Sequence, residues 1–158
     1  MADSSAGPCP AAKSGASAVT PRYLLDTNVV SELRKPRPNG RVVAWLESLH
    51  DHQLAISVVT LGEIQAGIEL TRDQDPAKAL EIEVWLDQLA ATHNLLPMDA
   101  TTFRSWARLM HRKSNTLLED ALIAATAQVH GLTVATRNIG DFKALGVSAY
   151  NPFSSTAG

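Results

Sequence analysis

Four acidic residues stand beside short apolar runs of the sequence: Asp26, Glu63, Asp120 and Asp141. Carboxylates held close together repel, and two unit charges about 4 Å apart cost about 4 kcal/mol at an effective dielectric constant near 20. A cluster of such groups therefore needs bound protons or a cation. Oxygen ligands without neighbouring His or Cys favour a hard divalent ion, Mg²⁺ or Mn²⁺. The chemistry that this predicts is metal-dependent hydrolysis of a phosphodiester.

The acids can meet only if the fold brings them to one place, and the apolar patterning indicates how. Short apolar runs without polar alternation predict strands that are buried on both faces. These runs are Tyr23–Leu25, Leu54–Ser57, Asn94–Leu96, 132–135 and 147–150. Longer segments with apolar residues at helical spacing lie between them. Three of these predicted helices cover 41–49, 58–70 and 119–130, the last with Gly131 as its stop. The other two start at Pro76 and after the cap residue Asp99.

Alternation of strands and helices predicts the α/β class, with a central parallel sheet covered by helices on both faces. Ligands of such folds bind at the carboxyl ends of the strands. Asp26 ends the first strand, and Glu63 lies early in the helix after the second. Asp120 lies at the far end of the helix that leads into the fourth strand, and Asp141 follows that strand. All four acids are therefore expected on one edge of the sheet.

Length and composition predict a single globular domain of ordinary polarity. The 158 residues carry a net charge of −2 and contain one cysteine, Cys9. This charge argues against binding nucleic acid by bulk positive charge, and a lone cysteine fits a reducing, cytoplasmic setting. Neither a signal peptide nor an apolar run of about 20 residues is visible, so no membrane contact is expected. We predict a flexible tail over 1–21, a domain over 22–153 and a frayed end over 154–158.

Four stretches resemble, in order and spacing, the motifs of the PIN domain family, and in particular the VapC/FitB toxins of bacterial toxin–antitoxin pairs. They are LLDTNVVSE at 24–32, SVVTLGEIQAG at 57–67, DALIAATA at 120–127, and TVATRN at 133–138 followed by Asp141 and Phe142. The resemblance implies the PIN-like three-layer α/β/α sandwich. It also implies an Mg²⁺- or Mn²⁺-dependent endoribonuclease that acts as a toxin.

The resemblance also implies partners and roles for individual residues. The partners would be RNA as substrate, a second copy of the chain, and a small antitoxin that blocks the acidic site. Promoter DNA would be contacted only through the antitoxin complex. The catalytic acids would be Asp26, Glu63, Asp120 and Asp141, with Asp26 and Asp120 as direct metal ligands. Hydrogen bonds from Asn28, Thr136 and Asn138 would order this site.

The four acids and Asn28 also have a purely structural interpretation. Asp26, Thr27 or Asn28 could cap the short helix that follows, and Glu63 could be a solvated helix residue. Asp141 could cap a helix over 142–145. Glu119 competes with Asp120, because a negative charge is favoured anywhere in the first turn of a helix. The motif selects Asp120, so Glu119 is interpreted as a solvated neighbour. Glu32 and Asp99 are interpreted as surface or capping residues.

Two basic groups are candidates for contacts with the RNA backbone. One is the segment 34–41, and the other is Arg104, Arg108, Arg112 and Lys113, which a helical spacing would place on one face. A solvated helix face is the alternative interpretation. The rival function is a catalytically idle PIN-like domain that only binds a protein. The intact set of acids favours the nuclease.

Overall fold

The computed structural model describes residues 21–154. The predicted tail and frayed end, together with Cys9, therefore lie outside the described residues, apart from Pro21 and Ser154. Within 21–154, no helix is both long enough and apolar enough to cross a membrane.

The described residues form five strands and seven α-helices, which alternate along most of the chain. The strands are β1 (Tyr23–Leu25), β2 (Leu54–Ser57), β3 (Asn94–Leu96), β4 (Thr133–Ala135) and β5 (Ala149–Tyr150). The helices are α1 (Thr27–Glu32), α2 (Gly40–Glu47), α3 (Val58–Arg72), α4 (Pro76–Thr92), α5 (Ala100–Met110), α6 (Leu118–His130) and α7 (Ile139–Ala144). Single turns of 3₁₀-helix cover Asp51–Gln53 and Asn115–Leu117.

All five strands are parallel, in the order β3-β2-β1-β4-β5. The central strand β1 places Leu25 opposite Ile56 of β2 and Ala135 of β4. The predicted class, a parallel sheet between layers of helices, is confirmed. Because β1 lies in the middle, the residue that follows it emerges at the centre of the carboxyl edge.

Successive residues of the central strands face two separate cores. Leu25 and Ile56 pack in a cluster with α1 to α4. Leu24 and Val134 pack in a second cluster with α6 and α7. All four side chains are fully buried, so both faces of the sheet are covered. This explains why the strands show no alternation of polar and apolar residues.

Local sequence signals fix the ends of several helices. Ser57 accepts a hydrogen bond from the Val59 N–H at the start of α3. Asp75 and Asp99 cap α4 and α5, so the capping role of Asp99 is confirmed. Gly131 ends α6 with a φ of 67°, a left-handed conformation that favours glycine. Because α6 then leads into the amino end of β4, its first turn lies at the carboxyl edge.

Two interpretations of single acidic residues are wrong in detail. Asp141 lies within the first turn of α7, which Asn138 precedes as cap residue, and does not cap a helix over 142–145. Glu32 is buried, at 5 % exposure; its carboxylate accepts from the Asn39 N–H at 2.7 Å and pairs with Lys35 at 2.9 Å. A charged residue can be buried when its oxygens are satisfied in this way.

The predicted basic face of α5 is also shorter than expected. α5 ends at Met110, and Arg112 has a φ of 63° in the following turn. Arg112 and Lys113 therefore lie beyond the helix and do not share its face with Arg104 and Arg108. A positive φ at a residue with a side chain breaks the helical repeat on which the prediction depended.

Candidate active site

The carboxyl edge of the sheet gathers the four predicted acids from four parts of the chain. Asp26 follows β1 directly, and its backbone N–H donates to the Ala135 carbonyl at the end of β4, at 2.9 Å. Glu63 lies in the second turn of α3, which starts where β2 ends. Asp120 and Asp141 lie in the first turns of α6 and α7. The acids are close enough for their charges to interact, as their pKa shifts show below.

Asp26 is the most buried acid of this cluster, with 5 % of its surface exposed. Its Oδ1 accepts from the Thr27 N–H at 2.8 Å, so Asp26 also caps α1. Its Oδ2 accepts from Thr136 Oγ1 at 2.7 Å and from Asn28 Nδ2 at 3.2 Å. Capping and a role in the site are thus compatible. The three bonds fix the carboxyl group and leave one acceptor site, on Oδ1, for another ligand.

Burial and hydrogen bonding oppose each other at Asp26. Removal from water disfavours the charged form and raises the pKa of Asp26 above its usual value. The bonds from Thr136, Thr27 and Asn28 act in the other direction, because they stabilise the carboxylate. Burial dominates, so the carboxylate form of Asp26 is disfavoured, and a nearby cation would offset this by stabilising the charged form.

Glu63 is positioned by two threonines. Thr27 donates its hydroxyl to Glu63 Oε1 in a short hydrogen bond, and the Thr27 and Thr60 hydroxyl oxygens are 3.1 Å apart. Burial is the main reason why the pKa of Glu63 rises to about 7, and a hydrogen bond with the Glu119 carboxyl and the charges of Glu119 and Asp26 add to the rise. Glu63 therefore shares its environment with two other acids.

Asp120 occupies the centre of the acidic cluster. Burial first, then the charge of Asp26, then a hydrogen bond with Asp141 raise the pKa of Asp120 to about 7. The charge of Glu119 contributes as well. A hydrogen bond between two carboxyl groups requires that one of them carries a proton. The cluster thus relieves part of its repulsion by holding protons near neutral pH.

Three residues of this site were missed by the sequence interpretation. Glu119 is exposed but interacts with both Glu63 and Asp120, so it is more than a solvated neighbour. Thr27 and Thr60 hold Glu63 in place. A signal for them existed, since Thr60 precedes Glu63 by nearly one helical turn, and Thr27 follows Asp26 directly.

The three predicted supporting residues form one hydrogen-bonded group. Thr136 is fully buried and donates to Asp26, while Asn28 bridges Asp26 and the Arg137 N–H. Asn138 contributes differently from its neighbours, because its backbone N–H donates to Thr136 Oγ1 at 2.9 Å. The structure thus brings all three to Asp26, the last through the main chain.

The predicted basic residues near α5 lie at the same end of the molecule as the acids. α5 runs antiparallel to α6, because Asp99 at its start interacts with His130 while Trp106 donates to the Leu118 carbonyl at 3.3 Å. The end of α5 is therefore beside the start of α6. The exposed cations near this end are Arg104 and Arg108 of α5, and Arg112 and Lys113 of the turn that follows it.

The donor chemistry of the pocket fits a divalent cation. Its acidic side chains offer only oxygen ligands, and the charges of neighbouring acids contribute to the raised pKa values of Glu63 and Asp120, a repulsion that a cation would relieve. As the side chains stand, no three His, Cys, Asp or Glu residues within 21–154 are grouped tightly enough to enclose an ion.

Together, the fold and the pocket define a class of protein: a three-layer α/β domain with clustered carboxylates at the carboxyl edge of its parallel sheet. The chain belongs to the PIN domain family, whose model matches residues 23–147. The resemblance drawn from the four sequence motifs is thereby confirmed.

Similar proteins narrow this family further. The chain is 40 % identical over 138 residues to the toxin FitB of Neisseria gonorrhoeae, covering 82 % of this chain and 97 % of that protein. It is 38 % identical over 138 residues to the VapC ribonuclease Y4jK of Sinorhizobium fredii, covering 82 % and 96 %. The structure of FitAB bound to an IR36 DNA fragment matches with a TM-score of 0.72 at 35 % identity, covering 85 % of this chain and 97 % of that chain.

Proposed function

We propose that this protein is the toxin of a toxin–antitoxin pair and that it hydrolyses phosphodiester bonds of RNA at the acidic pocket. The observation that supports this most is the convergence of Asp26, Glu63 and Asp120 on one edge, where burial raises all three pKa values and the charge of Asp26 raises those of Glu63 and Asp120 further. Similarity to a VapC ribonuclease supports the reaction, and similarity to the toxin FitB supports the role as a toxin, in each case over nearly the whole length of the relative.

The pocket is proposed to work with Mg²⁺ or Mn²⁺. Asp26 and Asp120 would hold the ion, which would lower the pKa of a bound water and stabilise charge on the phosphate. Asp26 is held for this task by Thr136 and Asn28. Glu63 provides a neighbouring carboxyl group that takes or gives a proton near pH 7, since its pKa is about 7, and Asp141 provides a further carboxyl group beside Asp120.

Three partners follow from the proposal. RNA is the substrate, and the cations at the end of α5 are candidates for contacts with its backbone. A small antitoxin is proposed because the matching structure is a FitAB complex, and contact with DNA through such a complex is proposed because that complex is bound to a DNA fragment. A homodimer and a cytoplasmic location complete the proposal.

Cleavage of an RNA panel by the wild-type chain and by Asp26→Asn tests the activity. We expect Mg²⁺-dependent cleavage that EDTA stops and that falls at least about 100-fold in the variant, the usual scale for loss of a group that stabilises charge in the transition state. Equal cleavage by the two proteins would indicate a contaminating nuclease and would refute the assignment. Absence of cleavage by both, with a stable protein partner bound, would favour the idle binding domain.

A further inference from the structure

Arg137 is an exposed cation at the carboxyl edge of the sheet, in the turn between β4 and α7. It directly follows Thr136, whose hydroxyl donates to Asp26 at 2.7 Å. The backbone N–H of Arg137 donates to Asn28 Oδ1 at 3.2 Å, and Asn28 in turn donates to Asp26. The main chain of Arg137 is therefore tied to the residues that hold the most buried acid of the site.

The side chain of Arg137 is held by an aromatic ring. Its guanidinium carbon lies 3.9 Å from the centre of the Phe153 ring, a cation–π contact. Phe153 is half-buried and packs against the core cluster that contains Leu25, and its N–H donates to Asn151 Oδ1 at 2.9 Å. Contact with the face of a ring leaves the N–H donors at the edge of the guanidinium free. The cation is thus positioned without using its donors.

No neighbouring acid neutralises this cation. Among residues 21–154 the guanidinium takes part in no salt bridge or hydrogen bond. Hydrogen bonds from Lys35 and from the Asn39 N–H are the main reasons why the pKa of Glu32 falls, and the charge of Arg137 adds to the fall. Glu32 has both oxygens engaged by Lys35 and Asn39. Arg137 does not contribute to the pKa of Asp26, so its charge lies to one side of the acids.

We propose that Arg137 binds a phosphate of the RNA backbone next to the bond that is cut, and that Phe153 positions the guanidinium for this contact. The inference rests on the proposed ribonuclease activity and assigns a residue that binds its substrate. A guanidinium group matches the geometry of a phosphate and can donate to two of its oxygens. RNA whose reacting bond lies at Asp26 has to pass close to the turn that follows Thr136.

Kinetics distinguish a contact with a neighbouring phosphate from one with the reacting phosphate. Loss of a contact made equally in the ground state and the transition state raises KM and leaves kcat unchanged. The probe is a fluorescein-labelled pool of short random-sequence RNA with Mg²⁺ and the full chain. We expect Arg137→Gln to raise KM about 10-fold or more, the scale of a hydrogen bond to a charged group. A fall in kcat at unchanged KM would place Arg137 on the reacting phosphate and overturn the assignment.

Arg22→Gln is the matched control for this substitution. Arg22 is also exposed, its guanidinium also lies over a ring, 5.5 Å from the centre of Tyr23, and its loss changes the net charge equally. It precedes β1, however, and so lies at the opposite edge of the sheet from Asp26. Because salt screens charges at such a separation, KM should stay within about twofold. Equal rises in KM would indicate a general effect of charge and contradict a specific site.

Binding of the same RNA to the Asp26→Asn chain in EDTA counts the phosphate contact. Adding Arg137→Gln should reduce the slope of log K against log salt by about 0.7, the contribution of one phosphate on a single strand, whereas adding Arg22→Gln should not. Arg137→Lys keeps the charge and should keep the slope, but should weaken binding because lysine lacks the planar fork of donors. Equal slopes for Arg137→Gln and Arg22→Gln would overturn the proposal.

A double substitution tests the positioning role of Phe153. Phe153→Leu keeps an apolar side chain without the ring, and should weaken RNA binding about 2- to 5-fold, the scale of an exposed cation–π contact. In the Arg137→Gln chain the same substitution should have no further effect, because Phe153 acts on RNA only through Arg137. An equal loss in both chains would show that Phe153 does not act by positioning the cation.

The outcomes separate this inference from the proposed function. If the wild-type chain cleaves RNA and Arg137→Gln has a normal KM and salt slope, Arg137 does not bind phosphate, while the ribonuclease assignment stands. If Arg137→Gln binds RNA normally but escapes inhibition by the antitoxin, the cation binds a protein acid and the proposal is wrong. If the wild-type chain neither binds nor cleaves RNA, both fail. Equal melting temperatures for Arg137→Gln and Arg22→Gln exclude misfolding as the cause of a difference.

Discussion

At the scale of single residues, the pocket is defined by the conflict between burial and charge. Asp26 is stabilised as a carboxylate by three hydrogen bonds, yet burial still raises its pKa. Asp120 has no comparable donors among residues 21–154 and instead shares a hydrogen bond with Asp141. The two acids therefore respond differently to substitution, because one depends on its donors and the other on proton sharing.

Asp120→Asn should change how folding stability depends on pH in EDTA. The pKa of Asp120 is about 7 in the folded chain and about 3.9 in an unfolded one, so deprotonation disfavours the folded state. Its contribution is complete below pH 4 and is lost as pH rises to about 7. The asparagine amide still donates to Asp141 but cannot ionise.

Urea unfolding between pH 4 and pH 7.5 measures this effect. We expect the free energy of unfolding to fall with rising pH by about 1–2 kcal/mol more in the wild type than in Asp120→Asn, after allowance for solvent screening. Asp87→Asn, at an exposed acid on α4, is the control and should follow the wild type. Parallel curves for wild type and Asp120→Asn would show that the pKa of Asp120 is not raised in the folded chain.

Thr136→Val should lower both the folding stability and the affinity of the pocket for Mg²⁺. The buried hydroxyl donates to Asp26 Oδ2 and accepts from the Asn138 N–H, and valine removes it at nearly constant volume. Loss of a buried hydrogen-bond partner costs about 1–3 kcal/mol, and loss of a residue that orients a metal ligand weakens metal binding about 10-fold or more.

The serine variant supplies the matched comparison for this position. Thr136→Ser keeps the hydroxyl, so the Mg²⁺ concentration for half-maximal RNA cleavage should stay near that of the wild type, while Thr136→Val shifts it upward. If valine and serine give the same Mg²⁺ dependence, the hydroxyl does not position Asp26 for a cation.

At the scale of elements, the sequence predicts most of the sheet and little of the side-chain arrangement. Apolar runs place all five strands, because burial on both faces leaves a strong local pattern. Helix ends are predicted where a cap residue marks them, as at Asp75 and Gly131. The early end of α5 was missed, because the left-handed residue Arg112 is not a glycine and gives no sequence signal.

The roles of Glu32 and Glu119 could not be predicted for another reason. Both depend on contacts between elements that no spacing encodes: Glu32 with the Asn39 N–H, and Glu119 with Glu63 of a different helix. A glutamate on a helix has the same local signature whether it faces water or another acid. Three of the acids named by motif lie together because they follow strands, and Asp120 joins them because its helix leads from the carboxyl edge into the next strand. Local patterning predicts both arrangements.

Two glycines should respond oppositely to alanine, because only one has a backbone that requires glycine. Gly131→Ala forces a left-handed conformation at a φ of 67° and should destabilise the chain by about 1–2 kcal/mol. Gly67→Ala lies in regular helix with nothing within 4 Å of the added methyl, and should stabilise it by about 0.5–1 kcal/mol. Denaturant midpoints measure both. Destabilisation by Gly67→Ala would mean that α3 needs this glycine for its own fold.

At the scale of the whole molecule, the charge distribution has to reconcile an acidic pocket with an anionic substrate. The net charge is −2, so attraction of RNA has to come from local cations. Such cations lie on both sides of the pocket, at Arg34 and at the end of α5. Arg137 lies beside Asn28, with its guanidinium 3.9 Å from the centre of the Phe153 ring. Negative charges in the pocket are therefore flanked by positive ones, and a bound divalent cation would neutralise part of the negative charge.

Mg²⁺ should therefore stabilise the entire fold, because it binds the native pocket and relieves repulsion that only the folded chain creates. At an Mg²⁺ concentration of about 100 times Kd the gain is about 2.7 kcal/mol, which corresponds to a rise in Tm of roughly 5–11 °C for a chain of this size. NaCl at equal ionic strength is the control, because screening alone also weakens repulsion between acids. The rise should be reversed by EDTA and should be largely absent in Asp26→Asn. A wild-type Tm that is identical in millimolar Mg²⁺ and in EDTA would show that the pocket does not bind the ion in the absence of RNA, and the acids would then have to be held by protons alone.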